Sequence, residues 1–387
     1  MISNNEKLLR QCYAFGKNYY GPLLYGFVRW IEREIKAYNN AKLFFLSRDG
    51  FMMKKAYEAY AGNINTSYIH VSRNSLRQSL LYKCQSYKES LQYLTVERYT
   101  SYSKLLKYYG FDEKEQNQIA SKYNFLLNTE MLFEDIQKNV IAQALYSDYE
   151  DTIISRSRRK ADMLKRYLSQ ECFSGNCVVV DIGWHGSMQY YLERFVSIAG
   201  INANVSGLYL GINPQYKTKG SMRGYIFSSN ESEKRKKVLC FLGGYEKLFQ
   251  SQEGSTLGYI EKNDRIMPEL EEYEHFENEL LTKRIDMWQK GAMDYLQTAS
   301  SATCDSALIS PLLKFGTNPP LWGIKMFEGF YIKDGGEQIF VSSKPLYKYK
   351  LNELTHTLSS CIWKTGFMKS LLKIPFPYYH IYRLLRK

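Results

Sequence analysis

The segment Cys177 to Gly200, CVVVDIGWHGSMQYYLERFVSIAG, sets a carboxylate, a glycine loop and a helix start side by side. Asp181 follows an apolar run of four residues, where it can accept hydrogen bonds from sugar hydroxyls. Gly183-Trp184-His185-Gly186 then makes a turn, and Ser187 stands where a helix would begin. The first N–H groups of a helix have no partner within it and carry a partial positive charge, so they suit a phosphate. Together these features predict a sugar-phosphate site. Two further stretches carry matching chemistry: Ser47-Arg48-Asp49-Gly50, and Ser72-Arg73 with Arg77. Arginine forks match phosphate oxygens two at a time. A carboxylate among them can orient a hydroxyl and take its proton. Plainer readings stand beside each: Arg48-Asp49 as a turn-closing ion pair, His185 as an ordinary hydrogen-bonding residue, Trp184 as a sugar platform or a core plug.

The elements that must position these residues follow from hydrophobic periodicity. After Ser187, Met188, Tyr191, Leu192, Phe195 and Val196 share one helical face, and Gly200 is a stop signal. Gly21-Pro22 opens an amphipathic helix with Leu24, Phe27, Val28, Ile31 and Ile35 on one face, closed by Asn39-Asn40. Lys42–Ser47 (KLFFLS), Ser67–Ser72 (SYIHVS), Cys177–Asp181 and Val205–Ile212 read as strands, with a helix at Phe51–Tyr60. Alternating β and α predicts an α/β fold: a mostly parallel Rossmann-like, phosphoribosyltransferase-like sheet with a large helical insertion and a helical C-terminal region. In such a sheet, ligands bind at the carboxyl ends of the strands.

The expected organisation is a core over residues 1–213 with a helical insertion at about 80–170, a mainly helical region over 214–353, and a tail over 354–387. In the insertion, Asp112-Glu113-Lys114-Glu115 resembles a capping box. The basic run Arg156, Arg158, Arg159, Lys160, Lys165 and Arg166 reads as a solvated helix face, with an anionic ligand as the alternative. Glu231–Lys237 reads as a charged surface loop, Gly243–Lys247 and Gly254–Tyr259 as glycine-punctuated loops that could close on a substrate or serve as plain turns, and Glu269–Tyr295 as helical.

Composition narrows the partners. Hydrophobic residues at 44% and charged residues at 24% exclude a disordered chain. A net charge of +13 fits nucleic acid, an anionic membrane face or a polyphosphate substrate. The seven cysteines form no CxxC pair and match no zinc spacing, so reduced thiols in the cytoplasm are expected. No apolar leader and no run of roughly 18 apolar residues is present. From Leu354 to Lys387 there is no acidic residue, while Lys364, Lys369, Lys373, Arg383, Arg386 and Lys387 alternate with aromatic and aliphatic side chains. That pattern suits a membrane interface in two short pieces split by Pro375 and Pro377, or an arm packed on the protein.

The run VVVDIGWHGS resembles the loop with which phosphoribosyltransferases bind phosphoribosyl pyrophosphate. Asp181-Ile182 stands where that loop has two adjacent acids, and His185-Gly186 where it has Thr-Gly. A closer resemblance is to the glycan phosphoribosyltransferase domain of bacterial ribofuranosyltransferases, often fused to a haloacid dehalogenase-type phosphatase. It is carried by FFLSRDGFMMKKAYE, YIHVSRNSLR, VVVDIGWHGSMQ and, more loosely, EGSTLGY.

The resemblance implies transfer of 5-phosphoribosyl to a lipid-linked glycan acceptor during capsule or O-antigen synthesis. It places the chain peripherally on the inner face of the cytoplasmic membrane. Arg48, Asp49 and Asp181 would be catalytic, with Asp49 as the base and Asp181 on the ribose hydroxyls, or the reverse. Ser47, Gly50, Ser72, Arg73, Arg77, Gly183, Trp184, His185, Gly186, Ser187 and Gln189 would bind substrate. It implies magnesium as an accompanying ion, no metal-ligand set in the chain itself, no organic cofactor and no nucleic acid. The phosphatase signature DxDx[TV] is absent, which implies a phosphatase on a separate chain. Two other classes stand as alternatives: a haloacid dehalogenase-type sugar phosphatase and a non-catalytic nucleic-acid-binding protein.

Overall fold

The computed structural model describes residues 3–62, 65–94, 99–229, 231–333 and 337–385. In chain order, helix α1 (Gly21–Glu34) leads into β1 (Lys42–Leu46), α2 (Gly50–Ala61) and β2 (Thr66–Ile69). A short helix α3 (Arg73–Gln78) follows, and the insertion contributes α4 (Tyr102–Tyr108) and the long α5 (Val140–Gln170). Then come β3 (Gly175–Trp184), α6 (Ser187–Ala199), β4 (Ala203–Ile212) and β5 (Met222–Phe227). Beyond the sheet lie α7 (Ser232–Leu239), α8 (Leu242–Phe249), hairpin β6 (Thr256–Lys262) and β7 (Arg265–Leu270), and α9 (Glu279–Thr298). A small hairpin, β8 (Tyr331–Lys333) and β9 (Glu337–Ile339), precedes the tail helices α10 (Leu351–Ser360), α11 (Lys364–Leu372) and α12 (Tyr378–Leu385).

The central sheet has the order β2-β1-β3-β4-β5 and every pairing in it is parallel. Both faces are covered, which explains the uninterrupted apolar runs. Leu43, Phe45, Val178 and Val180 point into one core, shared with α1, α9 and residues 238–363. Phe44, Leu46, Cys177 and Val179 point into the other, built with α6 and the insertion. The core on the first face therefore spans the boundary expected near residue 213. From β1 the chain moves outward to β2, and from β3 it moves the opposite way to β4. The order thus reverses between β1 and β3, and a crevice opens beyond their carboxyl ends.

Four local expectations need correction. Glu231–Lys237 is mostly helix α7, not a loop: Val238 buries against the core, Glu233 sits in its first turn and Lys236 and Lys237 in its last, as the helix dipole favours. Gly243–Lys247 lies inside α8. A Cβ at Gly243 would stand 2.8 Å from Ile332 and Ile362, and one at Gly244 would stand 2.1 Å from Phe241, so these glycines serve packing rather than a turn. Gly254–Tyr259 enters strand β6, whose hairpin closes on Asn263 and Asp264, both with positive φ as a two-residue turn of the primed type requires. Residues 265–270 are strand β7, and the helix expected from Glu269 starts at Glu279.

Half of the basic run in α5 pairs within the protein, while Arg158, Arg159 and Lys165 are exposed as on a solvated face. Arg156 pairs with Glu115 and Arg166 with Glu261, while Lys160 donates to Gln78. Part of the tail packs on the protein as an arm. Trp363 and Phe367 are fully buried, whereas Ile374, Phe376, Ile381 and Leu384 are exposed. Arg386 and Lys387 lie outside the described residues. Among the described residues no helix is long and apolar enough to cross a membrane.

Candidate active site

A cavity of about 390 Å3 lies at the crevice between β1 and β3. Ser47, Arg48 and Asp49 reach it from the end of β1, and Ser72 and Arg73 from beyond β2. Asp181, Gly183, Trp184, His185 and Ser187 come from β3 and the start of α6. Residues from three separate strand ends therefore share one cavity. The glycine loop has no slack: Gly183 (φ 99°) and Gly186 (φ 77°) take the left-handed conformation, and so does Trp184 (φ 69°). A Cβ at Gly183 would lie 2.5 Å from the Gly211 carbonyl oxygen. Strained backbone of this kind concentrates at functional sites.

The two acids are under electrostatic pressure. Burial pushes the Asp181 carboxyl up to about 6, against the N–H groups of Ile182 and Gly183 and the charge of Arg73, which favour its ionised form. Asp49 is pushed well above the usual carboxylate range by its depth in the crevice, then by the charges of Asp181 and Glu246, with Arg48 and Arg73 opposing. Of the two, Asp181 ionises more readily. His185 is held neutral by burial and by the nearby charges of Arg235 and Arg73. Arg73 is exposed, and among the described residues it makes no hydrogen bond or ion pair.

Four sequence-predicted residues do not reach this cavity, and two that do have other duties. Gln189 is wholly buried; its amide donates to Glu193 Oε1 (2.9 Å) and accepts from the Tyr209 hydroxyl (2.8 Å), so it ties α6 to β4. Gly50 abuts the Phe45 backbone, where a Cβ would come within 2.8 Å. Gly186 caps α6 against Met222. Arg77 is buried with its guanidinium 4.8 Å over the Tyr191 ring and faces an adjoining cavity instead. Arg48 lines the cavity, yet its guanidinium donates to Glu274 Oε2 at 2.8 Å, so that charge is already engaged. The Trp184 ring lies parallel to Phe227 with centroids 6.2 Å apart and is largely buried: it plugs the core.

Several lining residues were missed. Glu246, on α8, accepts a hydrogen bond from Trp184 Nε1 (3.3 Å) and adds a third carboxylate to the wall. Gln250 and Lys333 also line it, as do Ser255 and Thr256, which belong to the Gly254–Tyr259 stretch that the sequence offered as closing on a substrate. Reading 242–249 as a helix would have put Glu246 and Gln250 on one face, four residues apart. Nothing local marks Lys333.

No protein-family model matches the chain, and no curated protein matches it.

Proposed function

We infer that the chain is a glycan phosphoribosyltransferase, moving 5-phosphoribosyl from phosphoribosyl pyrophosphate to a glycan acceptor. The observation that carries this reading is the meeting of Asp49 and Asp181 at the sheet's reversal point, with an unengaged arginine and a glycine-helix anion cradle beside them. Enzyme sites are where such pressure on carboxylates gathers.

In this reading the Gly183–Ser187 loop and the start of α6 hold the 5-phosphate. Asp181, the more readily ionised acid, accepts hydrogen bonds from the ribose hydroxyls. Asp49, with the higher proton affinity, takes the acceptor's proton. The acceptor oxygen bonds to ribose C1 as the C1–O bond to pyrophosphate breaks, and the bonding pair leaves with pyrophosphate. Displacement from the α-donor yields a β-ribofuranosyl 5-phosphate. Arg73 offsets charge growing on the leaving group, a task for which Arg48 is less suited because Glu274 already engages it.

Magnesium fits this site in a limited way. Among the described residues no three carboxylate, histidine or cysteine groups converge to hold a metal unaided. Magnesium needs only one or two carboxylates beside substrate phosphates, and a cation near Asp49 and Asp181 would relieve their mutual repulsion. When bound, it would neutralise phosphate charge.

The exposed apolar residues and cations of α11 and α12 suit a peripheral position on a membrane carrying a lipid-linked capsule or O-antigen acceptor. Removal of the 5-phosphate would require a phosphatase site other than this cleft.

The test is acceptor-dependent release of pyrophosphate from phosphoribosyl pyrophosphate by the purified chain. Asp181→Asn and Arg73→Ala should each lose at least about tenfold in rate, the loss of one charged hydrogen bond, while remaining folded. Full activity in both variants would refute the site.

A further inference from the structure

Beyond Arg73 the cleft gives onto a second cavity of about 430 Å3. The two share a wall made of Ser72, Arg73, Ser255, Thr256 and Lys333. Their charge balances differ. Three carboxylates and three cations, Arg48, Arg73 and Lys333, line the first, whereas among the described residues Arg73, Arg77, Lys104, Lys107 and Lys333 line the second against one acid, Glu271.

These cations come from separate parts of the chain and converge on a concavity. Arg73 and Arg77 belong to α3, Lys104 and Lys107 to α4 in the insertion, and Lys333 to the end of β8. A solvated basic face would spread such charges over a convex surface. Lys107 approaches Glu271 only to 4.0 Å, with both side chains exposed, a pair worth little. Among the described residues Arg73 and Lys333 have no ion pair. In the shared wall, the buried Thr256 hydroxyl has no hydrogen-bond partner among the described residues. A concave cluster of one sign focuses its field and attracts a multiply charged anion.

We propose that this second cavity is a polyanion subsite for a diphosphate-class group, with the attached sugar lying in the neighbouring carboxylate cleft. The proposal rests on the transferase reading only for which substrate supplies that group: the donor's pyrophosphate, or the diphosphate of a lipid-linked acceptor. The site itself is independent of catalysis.

The experiment is calorimetric titration of the full chain with inorganic pyrophosphate, at low and high salt, beside the double variant Lys104→Ala/Lys107→Ala. Both lysines are exposed on α4, so the variant should keep its fold, checked by an unchanged melting temperature. The unmodified chain should bind pyrophosphate, more weakly as salt rises. The double variant should weaken binding roughly tenfold or more, as expected for losing a charged hydrogen bond. Competition by pyrophosphate against phosphoribosyl pyrophosphate assigns the subsite to the donor; competition against the acceptor alone assigns it to the acceptor. No binding by the unmodified chain at millimolar concentration, equal binding by the double variant, or competition with neither substrate would overturn the proposal. Because the titration needs no turnover, it can succeed while ribosyl transfer fails, and the reverse.

Discussion

Two groups of buried acids lie close together in this molecule, and the protein treats them in opposite ways. Glu274 sits between Lys247, which is completely buried, and Arg48, 2.8 Å away. Burial works to raise its carboxyl, but the two cations outweigh it and hold the group down at about 2. Asp181 and Asp49 face the cleft without a comparable pair of cations, and both are pushed up. The arginine next to Asp49 in sequence is turned to Glu274. The chain therefore completes one carboxylate internally and leaves two others without an ion pair among the described residues. A fold concerned with stability alone would have used Arg48 the other way.

The largest effect should come from breaking the completed side. Glu274→Ala leaves Lys247 buried without its partner and should cost about 3–5 kcal/mol in urea unfolding. A loss under about 1 kcal/mol would mean the triad is not what holds the loop after β1. Next comes Asp181→Asn, with the opposite sign. The folded carboxyl titrates near 6 against an ordinary 3.8, so the native chain loses stability as pH rises between those values. The asparagine variant should be more stable at pH 8 by on the order of 3 kcal/mol, and the gain should vanish towards pH 4. Glu274 works in reverse, since its lowered carboxyl contributes stability present above its ordinary 4.5 and lost as pH falls towards 2. Acid unfolding should therefore follow Glu274, and equal acid sensitivity of Glu274→Gln and the native chain would erase the contrast. The smallest stability effect belongs to Arg73→Ala, within about 0.5 kcal/mol, because that exposed side chain makes no hydrogen bond or ion pair among the described residues and acts on Asp49, Asp181 and His185 only through its charge.

Much of the scaffold was legible because its signals are local. KLFFL and CVVV are apolar on both faces, as strands covered on both sides must be, and the Gly186-Ser187 start and Gly200 stop bracket α6 to the residue. The convergence of Ser47–Asp49, Arg73 and Asp181–Ser187 followed from strand ends alone. What escaped was long-range. Glu274 meets Arg48 across 226 positions of sequence, and no spacing rule announces such a pair. Gly243-Gly244 looks like turn chemistry until Phe241, Ile332 and Ile362 are seen pressing on it. Gln189 belongs to the most informative stretch of the chain, yet helical phase turns it inward to Tyr209 rather than outward to the cleft. The fifth strand, MRGYIF, carries a glycine and an arginine that hide it from a pattern search, and only its last three residues are buried.

That outermost strand has a reach beyond its place at the sheet's edge. A Cβ on Gly211 would stand 2.3 Å from the Phe227 ring, and one on Gly183 would strike Gly211 in turn. Phe227, Gly211 and Gly183 thus form a row without free play, running from the rim of the sheet to the loop at its centre. A bulkier residue at either glycine would have to be matched by a slimmer one further along the row, so these positions should drift together or not at all. Anyone wishing to retune the loop without touching it could begin at Phe227.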